Sequence, residues 1–340
     1  FRALQRGDWM AAEDIFRRVL ALRSRDASAL MGLGEVALRR GDLNRAERLL
    51  REAYALNPNV PHLRCRLANV LYRNYAPLEA ERLWEEELRR APRCYLAHLL
   101  KGLNAFHMGR CPVAIGELEP LAQEASPSPE LLKTLGKAYL ENGQSREALR
   151  CFDRALKQVP QDAEAHYLHG LALAELARRP EEWEKALRSL QRSHQLDPRQ
   201  ASTEFEMGKV CERLGRPLEA RKHYERALEL YPYHDQACYN LYRLLKRMGE
   251  EKEAERWKER FQELAQREAE RRRIFQRFAR EPYNPEHRLA FAEFYAKQGL
   301  WEKAETQLRY ALRLAPDDPR VRRWVAQFYQ RWAEGMQRPP

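Results

Sequence analysis

The sequence predicts an all-α chain, a solenoid of antiparallel helix pairs. Three observations predict it. Alanines stand at 12, 46, 80, 114 and 148, always 34 residues apart, and the series resumes at Ala186, Ala220, Ala254 and Ala304. Large residues keep the same frame at Phe16, Leu50, Trp84, Leu118, Phe152, Leu190, Tyr224 and Leu308. Glycines at 7, 41, 109, 143, 215, 249 and 299 and prolines at 58, 92, 160, 198, 232 and 316 punctuate it. A fixed period of this length signals stacked helical units rather than one globular core.

The unit 129–162 justifies the elements in order. Leu132, Leu135, Gly136 and Tyr139 fall at i, i+3, i+4 and i+7, one face of a first helix. Gly143 supplies a turn. Ala148, Leu149, Phe152, Ala155 and Leu156 form the stripe of a second helix, which Pro160 ends. Gly136 and Ala148 are small because the two helices cross closely; a bulkier side chain would cost roughly 1–3 kcal/mol in repacking. Neither helix can bury its face alone, so the units must stack.

The frame divides the chain. Residues 1–26 are a partial repeat, and an array runs over 27–249 with complete units starting at 27, 61, 95, 129, 163, 201 and 235. An extended helical insertion, 250–284, closes the unit that starts at 235. An eighth unit covers 285–318, and a terminal helix and tail cover 319–340. A four-residue insertion at "ARRPEEWEK" is expected to lengthen a turn. The segment 250–279 lacks Gly and Pro and carries Ala254, Trp257, Phe261 and Leu264 at helical spacing, then Phe275 and Phe278. It reads as one helix about 45 Å long, or as two with a break near Gln266. Arg271, Arg272 and Arg273 read as solvated surface, with a docking arm as the alternative.

The order L-G-x-x-Y, then A-x-x-x-F-x-x-A, then P, on this frame and over nearly the whole chain, resembles the tetratricopeptide repeat (TPR) family. The resemblance implies a right-handed superhelix whose inner groove is lined by the first helix of each unit. Tyr75 replaces the turn glycine, Ser126 the proline, and Lys258 the large apolar residue of a second helix. The last departure puts the packing of the 235–284 unit in question.

Composition narrows the function. No stretch approaches 18 consecutive apolar residues, so no membrane span is expected. The net charge of +11 comes from 49 Arg and 12 Lys against 50 acidic residues. It is spread along the chain, which fits acidic protein partners better than nucleic acid. The opening "FRALQRGDWM" is not a signal peptide, and a leader preceding Phe1 is left open. Cysteines at 65, 94, 111, 151, 211 and 238 form no C-x-x-C pair, so neither a zinc knuckle nor a redox motif is expected. Their scatter fits packing residues in a reducing compartment, favouring the cytoplasm, with disulfides and export left open. There is no H-E-x-x-H, no G-x-G-x-x-G and no phosphate loop. His166 and His169 fall on packing positions. The chain is therefore expected to be no enzyme and to need no cofactor or metal.

The family resemblance places positions 2, 5, 9 and 12 of each unit on the groove. These include Asn69 and Tyr72; Leu96, Leu99, Leu103 and Phe106; Lys133 and Lys137; Tyr167; Phe205 and Lys209; Tyr239 and Arg243. Cys65 stands where chaperone-tail-binding members carry a lysine, so that carboxylate clamp is not expected. The strip Leu96–Phe106, bordered by Tyr72 and the two lysines, fits a partner's apolar side chains with the lysines on acidic groups. Its alternative is partial cover by neighbouring units. The expected function is a non-enzymatic protein–protein interaction scaffold holding a protein or peptide segment in the groove.

A second reading concerns the ends. Ala12, Phe16 and Val19 belong to a lone second helix; Trp324, Phe328 and Trp332 belong to a lone first helix. Joined head to tail, they would build homo-oligomers or filaments. Otherwise the aromatics fold back on the preceding unit, in a region cut from a longer repeat protein. A third reading, the recruiting portion of a larger enzyme such as a glycosyltransferase, is disfavoured because the groove holds few asparagines.

Overall fold

The computed structural model describes residues 6–124, 126–281 and 284–336. The start of the partial repeat (1–5) and the end of the tail (337–340) lie outside them. Among the described residues there are 18 helices and no strand. In chain order α1 is Trp9–Leu22, α2 Ala27–Arg39, α3 Leu43–Leu56, α4 Leu63–Arg73, α5 Pro77–Arg90 and α6 Tyr95–His107. Then come α7 Cys111–Ala122, α8 Pro129–Glu141, α9 Ser145–Gln158, α10 Ala163–Leu176, α11 Pro180–Leu196 and α12 Ala201–Arg213. The last six are α13 Pro217–Leu230, α14 Asp235–Met248, α15 Glu251–Arg280, α16 Pro285–Lys297, α17 Trp301–Leu314 and α18 Pro319–Met336.

Helices pair as expected in α2–α3, α4–α5, α8–α9, α10–α11, α12–α13 and α16–α17, and α1, α3, α7, α9, α11, α13 and α17 each pack also on the first helix that follows. The punctuation works as read. α3, α9, α11 and α13 stop two residues before Pro58, Pro160, Pro198 and Pro232, because the residue preceding a proline is driven out of the helical region. Asp26, Asp42, Ser128 and Asp162 cap first turns, each side chain accepting the backbone N–H three residues on. The turn glycines take positive φ, between 70° and 82°. Tyr75 adopts the same conformation at 65°, which is strained for a residue with a Cβ.

Two compact units result. The first joins residues 1–101 to 276–340, and the second is 102–275. In the first, Leu30, Leu50, Leu63, Leu67, Leu71 and Trp84 centre the core. The C-terminal repeat meets the N-terminal ones inside this unit. The Tyr310 ring lies edge-on to Tyr75, 4.4 Å between centroids. Arg313 donates to both carboxylate oxygens of buried Glu47 at 2.7 Å. Arg288, also buried, is sandwiched between the rings of Phe278 and Tyr310 at 4.2 and 4.3 Å. Burial pushes the Glu47 pKa up, but hydrogen bonds from Arg313, Asn74 and Arg51 outweigh it and hold the carboxyl below its ordinary range.

In the second unit, Leu187, Leu190, Val210, Tyr224, Leu241 and Leu245 centre the core. α15 is one uninterrupted helix of 30 residues. Lys258 turns to Glu255 at 2.7 Å, and Ala254, Trp257, Phe261 and Leu264 supply the packing against α14. The question raised by Lys258 is answered by its neighbours. The four-residue insertion behaves differently from the expectation of a longer turn. It extends α11 to 17 residues at its N-terminus, since Pro180 fits the first turn and Glu182 accepts the backbone N–H groups of Arg178 and Arg179.

A Cβ built on Gly136 would stand 2.4 Å from the Phe152 ring. Gly136→Ala should therefore destabilise the chain by about 1–3 kcal/mol in urea unfolding, while Gly143→Ala should act only through φ. Arg313→Ala should cost about 1 kcal/mol in the same assay, because Arg313 is partly exposed and Glu47 keeps Arg51 and Asn74.

Candidate partner-binding groove

In the first unit, Asn69 and Tyr72 on α4 are half-buried. Tyr72 packs against Trp84, and burial pushes its phenol up to about 12. Leu96 is half-buried and touches the core; Leu99 is half-buried. In the second unit, Leu103 and Phe106 are half-buried too, with Phe106 against Ala105, Ala114 and Ala138. The strip residues are thus partly covered, Leu96 by the core of the preceding repeats and Phe106 in part by Ala138 of the next one.

Both lysines expected to border the strip have partners within the chain. Lys133 is only 5% exposed. Its ammonium meets Glu130 and Asp162 at 2.8 Å and Glu164 at 3.0 Å. Burial works against its charge, but these three carboxylates outweigh it and raise its pKa. Lys137 shares Glu164. Their charge secures α8 to α10. Tyr167 is half-buried against the second core, with its phenol pushed up to about 12 by burial.

Downstream, α12 and α14 carry a more open surface. Two adjoining hollows of about 360 Å³ each share Lys209 and Asn240. Glu212, Arg213, Arg243 and Arg247 complete the first. Phe205, Asp235, Gln236, Tyr239, Phe261 and Arg272 complete the second. Lys209 bonds Glu206 at 2.7 Å and lies 5.3 Å from the Phe205 ring centre. Glu212 accepts from Tyr224 at 2.6 Å and pairs with Arg243 and Arg247. Four cations against Glu212 leave the first hollow net positive. Tyr239, 41% exposed, packs against Phe261 at 5.0 Å and forms an aromatic wall. Lys209, Tyr239 and Arg243 were readable from the repeat register. Arg213, Arg247 and Phe261 were not, because they lie one residue past the last groove position of their units or on the inserted helix.

Behind this surface α12 is pinned by a buried carboxylate. Glu204 accepts from His194 at 2.9 Å and from His223 at 2.8 Å. Burial opposes charge on His223, but hydrogen bonds to Cys211 and Glu204 outweigh it and raise its pKa to about 9. His166 and His169 have separate partners: the Pro160 carbonyl for one, Ser189 and Asp153 for the other.

At the ends, Ala12 and Phe16 are buried against α2, with Val19 partly covered. Phe328 is 2% exposed among Ala292, Ala304 and Leu308, flanked by Trp301, Trp324 and Trp332. The terminal aromatics close the last repeat, so Phe328 is a core residue there.

Family profiles described as tetratricopeptide repeat match residues 2–61, 65–129 and 133–199, then 201–234 and 267–328. The chain belongs to the tetratricopeptide repeat family. No curated protein matches it. Among solved structures, TPR architecture recurs in PilF of Pseudomonas aeruginosa, at 19% identity and TM-score 0.51 over 61% of this chain and 92% of that one. The C-terminal part of a TPR repeat-containing protein from Cytophaga hutchinsonii matches at 15% identity and TM-score 0.51, covering 70% and 96%. A MamA crystal structure aligns at 23% identity and TM-score 0.44, over 49% of this chain and 96% of that one. These likenesses concern the fold alone. TPR arrays are protein-interaction scaffolds in general, and this TPR chain is of that kind. None of its described helices is long and apolar enough to cross a membrane.

Because the His223 pKa is raised from about 6.5 in an unfolded chain to about 9, its contribution is fully present below pH 6.5. It is lost as pH rises through 9. Stability should fall across that window by on the order of 2–3 kcal/mol. His223→Gln should flatten the slope in a melting-temperature series from pH 6 to 10.

Proposed function

We propose that this chain is a non-enzymatic interaction scaffold whose groove holds an extended partner segment, and that the face of α12 and α14 is its principal contact. The segment carries an acidic side chain beside a large apolar one. The observation that carries this reading is the pair of adjoining hollows sharing Lys209 and Asn240, one net positive and one walled by Phe205, Tyr239 and Phe261. A carboxylate fits beside Arg213 and Arg243, and an apolar side chain fits against the aromatic wall. Charge supplies the on-rate and the aromatic wall the residence time. Leu103 and Phe106 extend the proposed surface along the second unit. Lys133 and Lys137 stiffen it rather than contact the partner, because Glu164 already holds them.

The test is fluorescence anisotropy with labelled ten-residue peptides: Asp/Glu-rich with one Trp or Leu, the same peptide without the apolar residue, and a Lys-rich reversal. The first should bind, and less tightly as salt rises. Lys209→Glu with Arg243→Glu should weaken it on the order of 10–100-fold. Binding that ignores both the double substitution and the peptide's charge would overturn the assignment to this face.

Self-assembly through the ends rests on one feature, a hollow of about 150 Å³ lined by Trp301, Trp324 and Phe328. Under that reading, light-scattering mass rises above 40.2 kDa with concentration, and Trp324→Ala abolishes the rise. A mass constant across concentration retires it.

A further inference from the structure

Two cysteines 29 positions apart meet in the first unit. Cys65 lies on α4, and Cys94 lies in the link between α5 and α6. Their sulfurs are 4.0 Å apart. Glu87, on the last turn of α5, brings a carboxylate oxygen to the same place, and the three donor atoms all lie within 4.8 Å of one another. Among the described residues this is the one cluster of three such donors. Cys65 is fully buried, whereas Cys94 and Glu87 are half-buried. The cluster is therefore closed on one side and reachable on the other.

The spacing discriminates between two uses of a thiol pair. A tetrahedral ion with metal–sulfur bonds of ~2.3 Å keeps its two sulfurs roughly 3.8 Å apart. A disulfide requires them at ~2.0 Å. The observed separation fits a shared ion with almost no movement. Charge points the same way. Two thiolates and one carboxylate carry three negative charges, and a divalent ion supplies two positive ones. Arg64 supplies the third: it is buried beside the cluster, its Nη1 3.5 Å from a Glu87 oxygen. The assembled site is electrically neutral, which a buried position demands.

We propose that Cys65, Cys94 and Glu87 bind a soft divalent cation of the zinc class, with Arg64 balancing the charge beside Glu87. Binding replaces two S–H bonds by two metal–sulfur bonds and releases two protons to solvent. Neither sulfur is oxidised. A bound metal takes both sulfurs as thiolates. Three protein ligands leave a fourth position for water or for a side chain of a partner. The ion ties α4 to the link that leads into α6, so its effect is local stiffening of the second complete repeat.

The test is anaerobic titration of the reduced full chain with Co²⁺, followed by Zn²⁺. One equivalent of Co²⁺ should give a thiolate-to-cobalt charge-transfer band that one equivalent of Zn²⁺ bleaches. Cys94→Ser should lose the band, Glu87→Gln should keep it with at least tenfold weaker affinity, and Cys151→Ser should leave it unchanged. Zn²⁺ should raise the melting temperature of the parent chain but not of Cys94→Ser. Circular dichroism reports whether each variant is folded, and Glu87→Gln carries the test if a cysteine variant is not. No band at one equivalent, a band indifferent to Cys94→Ser and Glu87→Gln, or a mass two units lower from a Cys65–Cys94 disulfide formed in the presence of Zn²⁺ would each overturn the proposal.

Discussion

Everything in this chain depends on one contact, repeated with the period of the sequence: a residue with almost no side chain on a first helix against a large side chain on the second. A Cβ placed on Gly34 would fall 2.7 Å from Leu50, on Gly102 2.6 Å from Leu118, on Gly170 2.8 Å from Leu190 and on Gly208 2.6 Å from Tyr224. The helices can approach this closely only because the atoms that would collide are absent. Glycine weakens a helix interior by roughly 1 kcal/mol relative to alanine, so its use is explained by packing and not by propensity. Where the large residue is Trp84 or Leu308, the facing residues are Ala68 and Ala292, both fully buried. That contact sets the spacing within a pair.

The same period explains the arginine excess. Side chains about 30 residues apart become neighbours on adjacent repeats, and arginine bridges them with its forked donors. Arg51 holds Glu47 on its own helix and Glu79 on the next second helix. Arg221 holds Glu225, Glu250 and Glu253. Arg66 reaches back to Glu35, and Arg216 to Glu184. Each exposed pair contributes little, but repeated along the stack they resist slippage between repeats. Pairing neutralises cation and carboxylate alike, so the excess of +11 remains, and the hollow around Lys209 and Arg243 carries part of it.

The frame was legible because its signals are local. A glycine forces the turn, a proline stops the helix, and small–large complementarity lies within one 34-residue unit. What escaped was anything set by a neighbour's side chain. Lys133 sits at a groove position, yet its role is fixed by Asp162 and Glu164 of the next repeat, a pairing across repeats that the register of one unit does not show. Cys65 and Cys94 form no motif in the linear sequence and meet only because α4 and the link after α5 are brought together. The extension of α11 was readable in principle. A proline followed by two glutamates is a helix-opening signal, and the charged "RRPEEWEK" tract lacks the glycine that a lengthened turn requires.

The departures from the repeat are where the long-range structure is written, and Tyr75 makes the case. Among the described residues seven glycines take positive φ, whereas a residue with a Cβ in that conformation costs roughly 1–2 kcal/mol. Nothing in the turn itself asks for tyrosine. Its ring, however, meets Tyr310 edge-on, an arrangement contributing about 0.5–1.5 kcal/mol beyond burial, a few residues from the Arg313–Glu47 pair. A glycine would satisfy the turn and leave Tyr310 without its partner. The strain at Tyr75 is therefore offset by a contact more than 230 positions away, and the residue is explained by the C-terminal repeat rather than by its own.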